Sequence, residues 1–262
     1  MFDNSVIVVA HPDDEALWLS SVLDRAGGVV FCFQDCPAAP KLGPGRKKVV
    51  DEYPLANTVN LGIVEPVSFG QADWGRPRTS PFGIHIGGSA EVRDRYKKTY
   101  GEIIDRLPRL LYGCRNVFTH NPWGEYGHED HVQVYRAVKA LQKDLGFNIW
   151  YSNYCGQVSV TMMLLYMTGF SCDYLTLPTN PVLAHKLRDL YKKHRCWTWY
   201  EDYQWFKEES LMMDNASELD VSTHGHMFPV NMLKTDFTPG NSRGHRLAAR
   251  MRRIFSTRTS KP

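Results

Sequence analysis

Ser5-Val6-Ile7-Val8-Val9-Ala10-His11-Pro12-Asp13-Asp14-Glu15 runs from a short apolar, β-branched stretch into a histidine and three acids. Such a run reads as a buried strand, and polar residues at its end, before a helical pattern, are how open α/β sheets present chemistry at their carboxyl edge. His11 and Asp14 offer a nitrogen and an oxygen ligand three residues apart, with Asp13 between them as a spare carboxylate. Far downstream, Gly127-His128-Glu129-Asp130-His131 repeats the three-residue spacing in His128 and His131. Two histidines and an aspartate fill three positions of a catalytic zinc and leave the fourth to water. The pattern points to metal-assisted hydrolysis.

Outward from that stretch, a helix is expected over about 14–25, with acids at its N-terminus and Gly27-Gly28 at its exit. A second strand over 29–34 completes a βαβ unit, which demands a parallel sheet. Residues 35–46, dense in Pro and Gly, read as a loop, and a helix is expected from about Lys47 through Ala56 and Val59, broken at Pro54. Residues 70–90 read as a second long loop and 91–107 as a helix. A strand over 116–120, a turn at Asn121-Pro122-Trp123-Gly124 and a helix over 129–145 follow. That helix carries Val134, Val138, Leu141 and Leu145 on one face and stops at Gly146. A strand over 147–154 and a helix over 181–203 are expected beyond it. Both histidine clusters thus follow a strand and open a helix, places that a parallel sheet brings to one edge.

Of the 262 residues 43% are hydrophobic and 23% charged, which suits a globular domain and argues against disorder. A net charge of +3 is too small to argue for nucleic acid. The charge is uneven: residues 243–261 hold seven Lys or Arg and no acid, as in a solvated terminus or a membrane-surface segment. The domain is expected over 1–242, with 243–262 as a basic tail. Six scattered cysteines without a Cys-x-x-Cys pair speak against a zinc ribbon or redox motif and for reduced, buried thiols. The first residues lack a secretion signal, and the apolar run 158–170 falls short of the roughly 18 residues of a membrane span. A cytoplasmic protein is expected.

Ala10-His11-Pro12-Asp13-Asp14-Glu15, together with Gly127-His128-Glu129-Asp130-His131 at a helix start, resembles the LmbE-like N-deacetylases, which include the PIG-L de-N-acetylases of N-acetylglucosaminyl-phosphatidylinositol. The resemblance covers about residues 5–150. It implies a Rossmann-like α/β domain, a mainly parallel sheet with helices on both faces, and a divalent metal, usually zinc. Carried onto this chain, it makes His11, Asp14 and His131 the metal ligands and Asp13 the general base toward metal-activated water. His128 would stabilise the oxyanion or protonate the departing amine, and Asp130 would orient a neighbouring imidazole. The implied reaction removes an N-acetyl group from an amino sugar or a sugar-containing metabolite. An amidase or esterase acting on another acyl compound, and a non-catalytic sugar-binding protein of this fold, are the alternatives.

Other residues have competing readings. His11, Asp13 and Asp14 taken alone would suit a solvated helix cap, and His128 and His131 a polar first turn. Trp18 is expected to fill space near the site. Arg46 is the candidate for the family's substrate-binding arginine, and Arg46, Arg76 and Arg78 on the two long loops suit an anionic, nucleotide- or lipid-linked sugar or merely solubilise those loops. Trp123 is close enough to the second cluster to contact a sugar ring. His120 reads equally as structural or pocket-lining, His224 and His226 as a loop pair, and the aromatic run 197–206 as core packing rather than a stacking platform.

Overall fold

β1 (Ser5–Val9) is buried at all five positions, as an apolar run between two helix layers must be. A computed structural model describes residues 2–166, 174–214 and 229–235; Cys172, His224, His226 and the basic tail 243–262 lie outside the described residues. β1 pairs in parallel with β2 (Val29–Asp35) on one side and β6 (Asn116–Thr119) on the other. With β3 (Thr58–Val64), β7 (Asn148–Ser152), β9 (Tyr174–Pro178) and β10 (Glu208–Met213) they form a seven-stranded sheet, ordered β3-β2-β1-β6-β7-β10-β9. The first five strands are parallel, and β10 runs antiparallel to both β7 and β9. The chain leaves β1 toward β2 and β3 but returns on the opposite side at β6. The strand order therefore reverses between β1 and β6, and such a switch point opens a crevice at the strands' carboxyl ends.

Strand alternation sends side chains to both faces. Val6, Val8, Val30, Val117 and Ile149 face α3 (Ala90–Arg106), α4 (Pro108–Leu111) and α5 (Glu129–Leu145), joined by α6 (Val160–Tyr166). Ile7, Val9, Val29, Phe31, Phe118 and Trp150 face α1 (Asp14–Trp18), α2 (Leu42–Asp51) and α7 (Pro181–Lys193). The expected α/β sheet with helices on both faces is present. The 129–145 helix has the expected bounds, and Gly146 ends it at φ 75°, a conformation glycine adopts without strain. Among the described residues no helix is long and apolar enough to cross a membrane, and five cysteines are free thiols.

Several expected elements end elsewhere, for visible reasons. α1 stops after five residues rather than at Arg25. The Trp205 indole N–H takes the Ala16 carbonyl at 2.6 Å, and Glu209 takes the Ser20 and Ser21 N–H groups at 3.3 and 2.9 Å, so the partners needed for another turn are diverted. α2 begins at Leu42 inside the expected 35–46 loop, because Pro44 is tolerated in a first turn and Gly45 lets the helix approach His194. Val59 lies in β3, not in a helix. The 70–90 segment contains a small hairpin of β4 (Thr79–Ser80) and β5 (Gly83–Ile84). The expected 147–154 strand divides into β7 and β8 (Tyr154–Gly156), and β8 pairs in parallel with β11 (Asn231–Leu233). α7 ends at Lys193, ten residues early, and the aromatic segment beyond it folds back over α1.

Glu209 is the main polar tie between β10 and the end of α1: besides the two backbone donors it accepts from Ser20 Oγ at 2.7 Å and Tyr154 Oη at 3.0 Å. Truncating a buried acceptor strands all of these donors. Glu209→Ala should cost about 2–4 kcal/mol in chemical denaturation, with Glu209→Gln milder because it keeps one acceptor oxygen.

Candidate active site

Pairing of β1 with β6 sets the loop after each strand side by side at the switch point. The ring centroids of His11 and His131 are 5.5 Å apart, those of His11 and His128 4.9 Å, and those of His128 and His131 4.6 Å. Asp13 leaves the strand at φ 122°, a strained conformation for a residue with a side chain. Its N–H is held by Glu15 Oε2 at 3.1 Å, and its Oδ2 accepts from Thr198 N and Oγ at 2.9 and 2.6 Å. Glu15 is in turn fixed by the hydroxyls of Tyr53 and Tyr191 at 2.8 and 2.7 Å. All of the sequence-derived cluster, His11, Asp13, Asp14, His128, Asp130 and His131, comes together and is buried.

Backbone donors fix the histidine tautomers, since an N–H can only donate. Ala10 N–H donates to His120 Nε2 at 2.9 Å, so His120 carries its proton on Nδ1, which faces Glu125 Oε2 at 3.2 Å. Asp130 N–H donates to His128 Nδ1 at 3.2 Å, so the His128 proton sits on Nε2. His131 Nδ1 faces Glu125 Oε2 at 2.7 Å, while its buried Nε2 has no hydrogen-bond partner. His11 Nδ1 faces Asp14 Oδ2 at 3.1 Å, and its Nε2 lies 3.4 Å from Asp130 Oδ2.

Electrostatics follows from these contacts. Burial works against charge on Asp14, but His131 and His11 outweigh it and hold the carboxyl well below its usual range. Burial and the neighbouring Asp14 raise Asp13 to about 6 against the opposing Thr198 hydrogen bonds. Burial disfavours charge on His11 and His131 as well. Asp14 and Glu65 overcome it for His11, and Asp14 and Glu125 for His131, so each ring is raised to about 9.

An arrangement that stabilises protons on two imidazoles also suits a cation. Among the described residues three overlapping sets of side chains bring ligand atoms within 4.8 Å of one another: His11/His128/His131, Asp14/His120/His131 and His11/Glu65/Asp130. The set that the family resemblance implies, His11, Asp14 and His131, is none of these three as a whole, though the first two sets each hold two of its members. His11 Nδ1 to Asp14 Oδ2 is 3.1 Å and Asp14 Oδ1 to His131 Nε2 is 3.3 Å. Donors sharing one tetrahedral ion through bonds of about 2.0–2.2 Å lie about 3.3–3.6 Å apart. The two distances run to different oxygens of Asp14 and so do not mark one ion position, but the donor types and the buried His131 Nε2 suit a divalent cation.

Two residues expected to contact substrate stand in other surroundings than expected. Arg46 does not stand on a rimming loop: it lies on α2, fully buried, with its guanidinium bound to Glu65 and to the Gln34 carbonyl. Trp123 is completely buried, donates to the Tyr154 carbonyl at 2.7 Å and packs edge-on against Tyr151, so it presents no face to a sugar. Trp18, expected near the site, donates to Asp14 Oδ1 at 3.1 Å. His120, read equally as structural or pocket-lining, is buried, accepts from Ala10 N–H and faces Glu125 and Asp14. Arg76 and Arg78 are exposed.

Glu65, Glu125 and Thr198 carry no motif in the sequence: Glu65 and Thr198 stand on other segments, and Glu125 lies in the loop just ahead of the second cluster. Phe69, 4.6 Å from His128, and Trp199, 4.7 Å from Tyr126, bring aromatic rings from two further segments to this cluster. Asp130 Oδ1 accepts from Ser68, and Glu129 accepts from Gly70 N, Ala72 N and the Trp74 indole, so the first turn of α5 pins the 68–74 segment beside the site. A surface cavity of about 440 Å³, lined among others by Tyr100, Arg136 and Lys139, shares no residue with the cluster.

The sequence matches no protein-family model and no curated protein. Among solved structures, the fold is similar to the zinc-inhibited form of teicoplanin deacetylase Orf2, with a TM-score of 0.52 and 11% identity over 80% of this chain and 97% of that one. It is also similar to a deacetylase–bog complex from the biosynthesis pathway of teicoplanin, with a TM-score of 0.50 and 12% identity over the same shares. At these identities the likeness is one of fold.

With His11 and His131 both raised to about 9, a cation entering at pH 7 must displace their protons. Zinc binding should release about two protons, and affinity should rise with pH until it levels off above about 9. Calorimetry in buffers of different ionisation enthalpy, repeated across pH, measures both.

Proposed function

We propose that this chain is an LmbE-like, zinc-dependent N-deacetylase that removes an acetyl group from an amino sugar or a sugar-containing metabolite, giving acetate and a free amine. The observation that carries the reading is the conjunction, at the switch point, of an orphaned His131 Nε2 beside Asp14, a proton on His128 Nε2 and a strained, clamped Asp13. The fold shared with teicoplanin deacetylase supports it. His11, Asp14 and His131 would hold the cation, which supplies a Lewis acid that acidifies water and polarises a carbonyl.

The chain's own groups do the rest. Asp13, with its pKa at about 6, is mostly ionised at neutral pH and takes a proton from the attacking water. The two Thr198 bonds occupy Oδ2 and aim the carboxylate. As the acetyl carbon becomes tetrahedral, His128 Nε2–H donates to the developing oxyanion or to the nitrogen that leaves as amine, while the Asp130 N–H on Nδ1 fixes the ring. The C–N bond breaks as the nitrogen takes the proton that Asp13 removed from water, the free amine leaves, and acetate departs. Because Glu65 neutralises Arg46, recognition of an anionic, nucleotide- or lipid-linked sugar would fall to the exposed Arg76 and Arg78.

Released acetate, assayed over a panel of N-acetyl sugars, nucleotide sugars and non-sugar amides, tests this reading. Turnover confined to non-sugar amides would replace the sugar with another acyl compound. Asp13→Asn should lower kcat by about 10²–10⁴-fold with zinc retained, as should His128→Ala, whereas His131→Ala should lose the zinc. The pH–rate profile should fall on the acid side near pH 6, where Asp13 becomes protonated.

A further inference from the structure

Glu125 lies in the loop between β6 and α5, completely buried, and belongs to none of the sequence-derived site residues. Its Oε2 meets two imidazoles at once, His131 Nδ1 at 2.7 Å and His120 Nδ1 at 3.2 Å. The two rings stack with centroids 3.9 Å apart and planes 20° apart. Both present Nε2 to Asp14, His131 at 3.3 Å from Oδ1 and His120 at 3.5 Å from Oδ2. Two nearly parallel imidazoles therefore face the two oxygens of one carboxylate.

We infer that Glu125 is a positioning residue that fixes Nδ1–H on both rings, leaving His131 Nε2 to bind the cation while His120 Nε2 is kept as an acceptor outside the coordination set. This deepens the proposed function and rests on its reading of His131 as a ligand. A carboxylate oxygen can only accept, so each imidazole turns its Nδ1–H toward it. On His120 the freed lone pair at Nε2 is consumed by Ala10 N–H at 2.9 Å, which ties that ring to the end of β1. On His131 no backbone donor reaches Nε2, and that atom alone can exchange a proton for a metal ion.

The carboxylate is rigid enough for this task. Its Oε1 accepts from Asn121 N at 3.0 Å, and Glu125 N donates back to Asn121 Oδ1 at 3.0 Å. Asn121 Nδ2 reaches the Ser152 and Tyr154 carbonyls, both at 2.9 Å, and the Glu125 carbonyl accepts from Gly156 N at 3.0 Å and from Ser159 Oγ. Glu125 is thus braced on β7 and β8, independently of the helix that carries His131. A glutamine here has one acceptor oxygen. If that oxygen keeps Asn121 N–H, its amide turns donor hydrogens on both imidazoles, which must then place their protons on Nε2; on His120 that proton meets Ala10 N–H, and on His131 it points at Asp14 and occupies the atom left for the cation.

The test compares wild type with Glu125→Gln by zinc competition against a chromophoric chelator, and by ¹⁵N NMR of the histidine side chains at pH about 8. Wild-type protein should bind zinc and show His120 as the neutral Nδ1–H form. Glu125→Gln, folded by circular dichroism, should bind zinc about 10–100-fold more weakly and lose that His120 signature. Equal zinc affinity in the two folded proteins overturns the inference while leaving the metal site intact. Failure of wild type to bind zinc overturns the reading of His131 and the inference with it. If Glu125→Gln does not fold, the wild-type spectrum decides: a proton on Nε2 of His120 overturns the inference, and on Nδ1 supports it.

Discussion

Burial of like charge at the carboxyl ends of β1 and β6 is the constraint to which the surrounding structure answers. Asp13, Asp14, Glu15, Glu125, Glu129 and Asp130 are all buried around the switch point. An ionised carboxylate taken out of water is costly unless charge and hydrogen bonds replace its hydration. Each of these acids has found donors: the His11 imidazole and an indole for Asp14, tyrosine hydroxyls for Glu15, the Asn121 N–H for Glu125, backbone amides and an indole for Glu129, the Ser68 hydroxyl for Asp130, and Thr198 for Asp13.

Those donors come from segments far apart in the chain, and so the acids organise the architecture as well as the chemistry. Glu129 holds the segment containing Trp74 against α5. Glu15 ties α1 to Tyr53 after α2 and to Tyr191 on α7, and Asp13 ties the same loop to Thr198. Arg46 joins this network from α2 through Glu65, which in turn lies 3.6 Å from His11 Nε2. Burial and the neighbouring Asp13 push the Glu15 carboxyl up to about 7 against its two tyrosine donors, and burial moves Glu129 up to about 7 against its backbone donors. Charge therefore concentrates on Asp14, which the imidazoles of His11 and His131 face, and on Glu125, which His120 and His131 hold below its usual range.

The aromatic segment after α7 illustrates how packing overrides a local pattern. Its apolar residues read as core, and Trp197 is indeed buried. Trp199 instead stands edge-on to Trp18 at 5.0 Å and close to Tyr126, while Trp205 caps the Ala16 carbonyl. The segment is both the cover of α1 and a wall of the candidate site. The shortness of α1 has the same origin: its residues favour a longer helix, but their hydrogen-bonding groups are claimed by Trp205 and Glu209.

By itself the sequence determined the parallel α/β sheet, the strand-to-helix position of both histidine clusters, and the meeting of His11, Asp14 and His131. These are consequences of local patterns, since an apolar β-branched run ending in polar residues before a helix has one economical place in a parallel sheet. Only the tertiary structure decided which partner meets each imidazole nitrogen. A tautomer depends on the donor or acceptor at the ring's other nitrogen, and those partners, Ala10 N–H for His120 and Glu125 for His120 and His131, are set by the packing of β1, β6 and the loop ahead of α5. The fates of Arg46 and Trp123 were decided in the same way: residue type alone gives a charged or aromatic side chain, and only its surroundings show whether Glu65 or the Tyr154 carbonyl has already claimed it.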